Sequence, residues 1–233
     1  MTRSTIRVTG RIFRLVYLLG AIACGMVPSR GLHAQTDGTC IPLAEREGRE
    51  FGCFITARQE LGALPKDTAL YWHLDTFPTR PAADRARVAR SSIVESLGRT
   101  WLFTIAPSGW RPSSPGSRVA MIGPLPLVAA DSLAAVYMEG VFKPGMNTVV
   151  HRHAGVEAWF TLEGSMCLET PAGTTMQSAH DSGVLVRAGV PMMLTGTGTV
   201  ARRSVVLILQ DATQPRSTPA PDWTPRGLCT KAK

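Results

Sequence analysis

Runs of about four to nine residues rich in apolar, β-branched and aromatic side chains recur along this chain, broken by polar stretches with Gly, Pro and Ser. That is the signature of half-buried strands. Phe51 to Ala57 reads as a short strand, and residues 58–68, with Gly62 and Pro65, read as a connection. Ala69 to Phe77 (Ala-Leu-Tyr-Trp-His-Leu-Asp-Thr-Phe) is an aromatic-rich strand that Pro78 ends. Thr79 to Arg90 opens on a capping residue, carries Pro81 early and continues in Ala and Arg, the pattern of a short helix. Ile93 to Ser96 and Thr100 to Ile105 form a hairpin around Leu97-Gly98-Arg99. Residues 107–117 are a Pro/Gly/Ser linker, which sets a boundary near 112. Beyond it, Val119 to Ile122, Pro126 to Ala129 and Ala134 to Phe142 are expected to open a second, all-β unit.

The later strands are more specific about layers. In Glu157 to Leu162, one face carries Glu157, Trp159 and Thr161, and the other carries Ala158, Phe160 and Leu162. The second face is apolar and needs a cover, either the N-terminal region or a second subunit in a homodimer. Ser204 to Leu209 is apolar on both faces and therefore central in its sheet. Glu139 interrupts an otherwise mostly apolar strand, where it faces either the cavity, as a base or extra ligand, or solvent. The expected organisation is an α+β region at 35–112, a β unit at 113–212 and an extended tail at 213–233, which has four prolines and no periodicity.

Residues 1–34 read as a secretory signal: arginines at 3, 7, 11 and 14, an apolar run from Leu15 to Val27 too short for a membrane span, then Leu32-His33-Ala34 as cleavage site. Ala21-Ile22-Ala23-Cys24 is a weaker, lipoprotein-type alternative, with Cys24 the anchored residue. Cleavage changes the charge argument. Removing five arginines from the 25 basic residues leaves 20 against 17 acids, so the formal +8 belongs largely to the signal. No basic stripe remains to suggest a nucleic-acid partner, and no membrane-spanning segment remains. Four cysteines stay: Cys40, Cys53, Cys167 and Cys229. An even number in an exported chain points to disulfides. The expected pairs are Cys40–Cys53, closing a short loop, and Cys167–Cys229, pinning the tail.

The candidate chemistry lies in residues 144–164, Pro-Gly-Met-Asn-Thr-Val-Val-His-Arg-His-Ala-Gly-Val-Glu-Ala-Trp-Phe-Thr-Leu-Glu-Gly. His151 and His153, two apart, share one face of a strand. The short Ala154-Gly155-Val156 link can bring Glu157 to the same cavity. Two imidazoles and a carboxylate suit a divalent metal. Gly145, His151, His153, Glu157 and Gly164 fit the spacing of the first motif of the cupin superfamily, which this stretch resembles. The resemblance implies a mainly β, cupin-like double-sheet jelly-roll β-barrel, here with a small N-terminal α+β segment.

The second cupin motif would end in a third metal-binding His. The matching stretch, Arg187-Ala188-Gly189-Val190-Pro191-Met192, keeps the Gly-x-Pro turn but has Arg187 for its leading Pro and Met192 at the His position. His180 lies about 17 Å along the preceding strand, too far to substitute. Three readings stay open. His151, His153 and Glu157 alone hold Fe, Mn, Ni or Zn. Met192 joins as a soft ligand for Cu. Or no metal binds, and the protein is a non-catalytic module for a small organic ligand. Trp159, Thr161, Met192 and Glu139 are the expected lining of the cavity. Arg152, Arg187 and Arg202 are candidates to meet an acidic substrate, Arg187 foremost because it stands beside the site. His73, on an aromatic strand, reads as a packed histidine, and the methionines, among them Met138, Met146 and Met193, as flexible core filler. Fold alone does not name a reaction.

Overall fold

A computed structural model describes residues 40–229; the secretory-signal and Cys24 readings fall outside these residues. The described residues form fifteen strands: β1 (Ile41–Pro42), β2 (Gly52–Gly62), β3 (Leu70–Phe77), β4 (Ser91–Ser96), β5 (Arg99–Pro107), β6 (Ser117–Ile122), β7 (Leu133–Phe142), β8 (His151–Arg152), β9 (Val156–Glu163), β10 (Ser165–Thr170), β11 (Gly173–Ser178), β12 (Val184–Val186), β13 (Met193–Thr197), β14 (Arg202–Asp211) and β15 (Thr218–Pro219). Among the described residues there is one α-helix, α1 (Arg80–Ala86), which starts where Thr79 caps the Ala82 amide. No helix among the described residues is long and apolar enough to cross a membrane.

Four layers stack in order. The central six-stranded sheet runs β1-β2-β7-β14-β9-β12, and β14 sits between β7 and β9 as its two apolar faces require. One face of this sheet presents Leu133, Ala135 and Tyr137 of β7, Ala158 and Phe160 of β9, and Val205, Leu207 and Leu209 of β14. These pack on Trp72, Leu74, Phe103 and Ile105 from the four-stranded sheet β4-β5-β3-β6. Helix α1 covers the far side of that sheet through Ala82, Ala83 and Ala86 against Phe77 and Leu102. The other face of the central sheet presents Val136, Met138, Trp159, Val206 and Ile208 to Met166, Leu168 and Leu194 of the three-stranded sheet β11-β10-β13. The two sheets flanking this second core make the double-sheet jelly roll. The apolar face of β9 is thus covered by the chain's own N-terminal sheet, which removes it as a candidate dimer surface.

Five expectations change. Residues 119–122 do not open the jelly roll: β6 pairs with β3, from Trp72 opposite Ile122 to Thr76 opposite Ser117. Conversely β2 runs on to Gly62, past the expected connection, and pairs along β7. The Pro/Gly/Ser linker at 107–117 is therefore a turn within one sheet, because strand pairing crosses it in both directions. Residues 126–129 form no strand. The jelly roll also does not close as a hydrogen-bonded barrel: among the described residues the central sheet ends at β1 and at the three-residue β12, and the sheet β11-β10-β13 stays separate. The hairpin at 97–99 is as expected, with Leu97 (φ 52°) and Gly98 (φ 72°) supplying the two left-handed residues of a tight turn.

Both expected disulfides form, Cys40–Cys53 and Cys167–Cys229. The tail runs back over the jelly roll, where β15 pairs with β8, Thr218 opposite Arg152 and Pro219 opposite His151.

Candidate metal centre

His151 belongs to β8, His153 follows it directly, and Glu157 is the second residue of β9. The turn between them is tight. A Cβ on Gly155 would lie 2.0 Å from the Leu209 carbonyl oxygen and 2.5 Å from the Gln210 Cα, so only glycine lets the chain pass this close to β14. Gly164 closes β9 with φ +70°. The result is that one potential ligand atom from each of His151, His153 and Glu157 lies within 4.8 Å of the others, and all three side chains are buried.

The hydrogen bonds set the chemistry of these groups. The His151 Nδ1 donates to the Val149 carbonyl at 2.8 Å, and the His153 Nδ1 donates to the Arg216 carbonyl at 2.7 Å. Each Nε2 then carries a lone pair, the tautomer a metal needs. Burial pushes the His153 pKa down to about 4, so its ring is neutral near pH 7. His151 is lowered too, by burial and then by His153. Burial raises the Glu157 carboxyl, opposed by His151 and Arg202. The His153 Nε2 faces Glu157 Oε2 at 3.5 Å. With a neutral ring this is not an ion pair. It is a lone pair against a carboxylate oxygen, and both atoms are buried without a hydrogen-bond partner. Two orphaned acceptors converging on one point fit a cation between them.

The surrounding pocket is small, about 60 Å³, and is lined by Cys40, Cys53, Met138, Gly140, Phe142, Thr148, Val149, Leu194, Val206, Ser217, Arg202 and Arg216 besides the three metal-site residues. The expected lining distributes differently. Trp159 (1 % exposed) and Met192 (0 %) pack into the core beneath the site. Met192 pairs through its backbone with His151, N–H to carbonyl in both directions. Thr161 Oγ1 donates to the Gln177 side chain at 2.8 Å. Glu139 has the parity of Leu133, Ala135 and Tyr137, so it points to the opposite face of the central sheet. There its carboxylate accepts from Ser96 Oγ and pairs with Arg46; it is not part of this pocket. His73 is packed, bonded to the Pro107 carbonyl at 2.9 Å.

Of the three arginines expected near the mouth, Arg152 pairs with Asp222 and Arg187 is exposed. Arg202, at the start of β14, is the one in the pocket. Its parity with Ser204, Val206 and Ile208 on an inward face was the signal available in the sequence. Arg216 and Gly140 went unrecognised, since nothing local ties a tail residue or a mid-strand glycine to a site contributed by other segments.

Fold and site together define a two-sheet jelly-roll β protein with a buried His-His-Glu group that could hold a metal ion. No protein-family model and no curated protein sequence matches the chain. Among solved structures, a cupin-like protein from Thermotoga maritima is similar at 14% identity over 37% of this chain and 64% of its own, with a TM-score of 0.34. A DMSP lyase structure is similar at 18% identity over 37% of this chain and 44% of its own, TM-score 0.33. An oxalate oxidase in complex with the substrate analogue glycolate is similar at 14% identity over 37% and 46%, TM-score 0.32. The likeness therefore spans less than half of either enzyme.

Proposed function

We propose that this is an exported cupin-fold protein that binds one divalent ion through His151, His153 and Glu157 and acts on a small organic substrate. The observation that carries the reading is the pair of buried, unpartnered acceptors, His153 Nε2 and Glu157 Oε2, facing each other while both Nδ1 atoms are committed to carbonyls. Iron, manganese, nickel or zinc suits two imidazoles and a carboxylate; copper would implicate Met192, whose place in the apolar core gives this less support. When bound, such an ion supplies Lewis acidity or an oxygen-activating centre. The chain's own residues orient and exclude: the two carbonyls fix the imidazoles, and the apolar walls keep bulk water from the site. Two disulfides support export to an oxidising compartment.

The test is elemental analysis of protein purified without chelators or a metal-binding tag. Near-stoichiometric metal, lost in His151→Ala, is expected. No metal, and none taken up on addition, overturns the reading. It leaves a metal-free ligand-binding module, the alternative that the replacement of a third histidine by Met192 favours.

A further inference from the structure

Arg202 is 2 % exposed, and neither its Nε nor its Nη2 has a hydrogen-bond partner. No carboxylate among the described residues lies within ion-pair distance of it; Glu157 acts on it only through the longer-range field. A buried guanidinium is costly to leave unpaired, yet this one is deliberately housed. Its planar group lies 5.8 Å from the Phe142 ring centroid and 5.9 Å from that of Trp159. Gly140 adds room beside it: a Cβ there would stand 3.2 Å from Arg202 Nη1, a tight contact. The same pocket holds Arg216, whose Nε is also without a partner and whose Nη2 reaches only the Cys40 carbonyl at 3.4 Å. One carboxylate, Glu157, thus shares the pocket with two guanidiniums, before any metal adds charge.

We propose that this pocket takes a small organic carboxylate, its anionic group received by the fork of Arg202. The proposal rests on the metal reading only in placing the ligand beside the ion. Planar guanidinium and planar carboxylate match in a bidentate pair, which also satisfies the donors that the fold leaves open. Size follows from the volume. At ~10–15 Å³ of such space per water position, 60 Å³ holds about four to six water-sized groups. Formate, acetate and propionate fit; benzoate does not.

The experiment is calorimetric titration of the full-length exported protein, with its metal content measured on the same sample. Formate, acetate, propionate, benzoate and the uncharged acetamide are the probes. Acetate is expected to bind at least tenfold more tightly than acetamide, and benzoate not to bind. Arg202→Met, which fills the space between the rings without the donors, should keep the metal content and lose about ten- to a hundredfold in acetate affinity. Equal binding of acetate and acetamide, no binding of any small carboxylate, or unchanged acetate affinity in Arg202→Met overturns the proposal. Should that variant not fold, the acetate-to-acetamide ratio on the unaltered protein decides. A metal-free protein with Arg202-dependent acetate binding would sink the metal reading and leave this one standing; a metal-loaded protein indifferent to carboxylates would do the reverse.

Discussion

Removing the Cys167–Cys229 bridge tests how far the tail supports the site. The bond joins β10 to the end of the tail across 62 positions, with both cysteines buried. The loop-entropy relation for that separation gives about 4 kcal/mol at 25 °C. Against the usual 5–15 kcal/mol of a folded domain this is a large share. Two other tethers remain. The Glu169 carboxylate accepts the Arg226 and Leu228 amides at 2.5 and 3.0 Å, and β15 stays paired with β8. The same tail carries the Arg216 carbonyl that orients His153. Cys167→Ala/Cys229→Ala should therefore lose about 4 kcal/mol in urea unfolding with metal chelated. It should still bind metal, with affinity about tenfold lower by chelator competition, because a loosened outer partner costs a ligating histidine its fixed orientation. A stability loss under about 1 kcal/mol would refute the entropic argument. Unchanged metal affinity would show that the Arg216 carbonyl keeps its place without the bridge.

With metal chelated, stability should fall as pH drops from 6.5 towards 4. His153 is held at about 4 in the folded protein and titrates near 6.5 unfolded, so in this window protons bind the unfolded chain first. At ~1.4 kcal/mol per pH unit that gap is worth about 3 kcal/mol, with His151 adding in the same direction and Glu157, raised by burial, opposing it. Melting temperatures that rise steadily on acidification would contradict this. Gly155→Ala drives a methyl into the β14 backbone and should cost about 3 kcal/mol or more, with loss of metal, read by thermal melting and elemental analysis. Glu139→Gln should cost about 1.5–3 kcal/mol through its bonds to Arg46 and Ser96. Its metal content should be unchanged, because Glu139 lies on the other face; loss of metal would put that assignment in error.

Local pattern carried much of this protein. Apolar and aromatic runs located β3, β7 and β14, and the alternation of Glu157 to Leu162 located β9 with its two faces, since a strand's composition reflects what each of its faces meets. The apolar reverse face of β9 showed that a further layer was needed. The spacing of His151, His153 and Glu157 points to one shared cavity, and the three side chains do come together there, because only the short link 154–156 separates the two strand segments that carry them. Tertiary structure decided the rest. A Pro/Gly/Ser stretch looks the same whether it separates domains or turns a chain between β5 and β6, and only strand pairing told them apart. From its strand alone Glu139 faces either the cavity or solvent, but one residue of parity sends it to the opposite core, where Arg46 from a distant segment meets it. Arg202 and Arg216 meet in one pocket though one starts a central strand and the other lies in the tail. Which face a charge enters, and what waits there, depends on contacts between segments far apart in the chain; no local pattern encodes those.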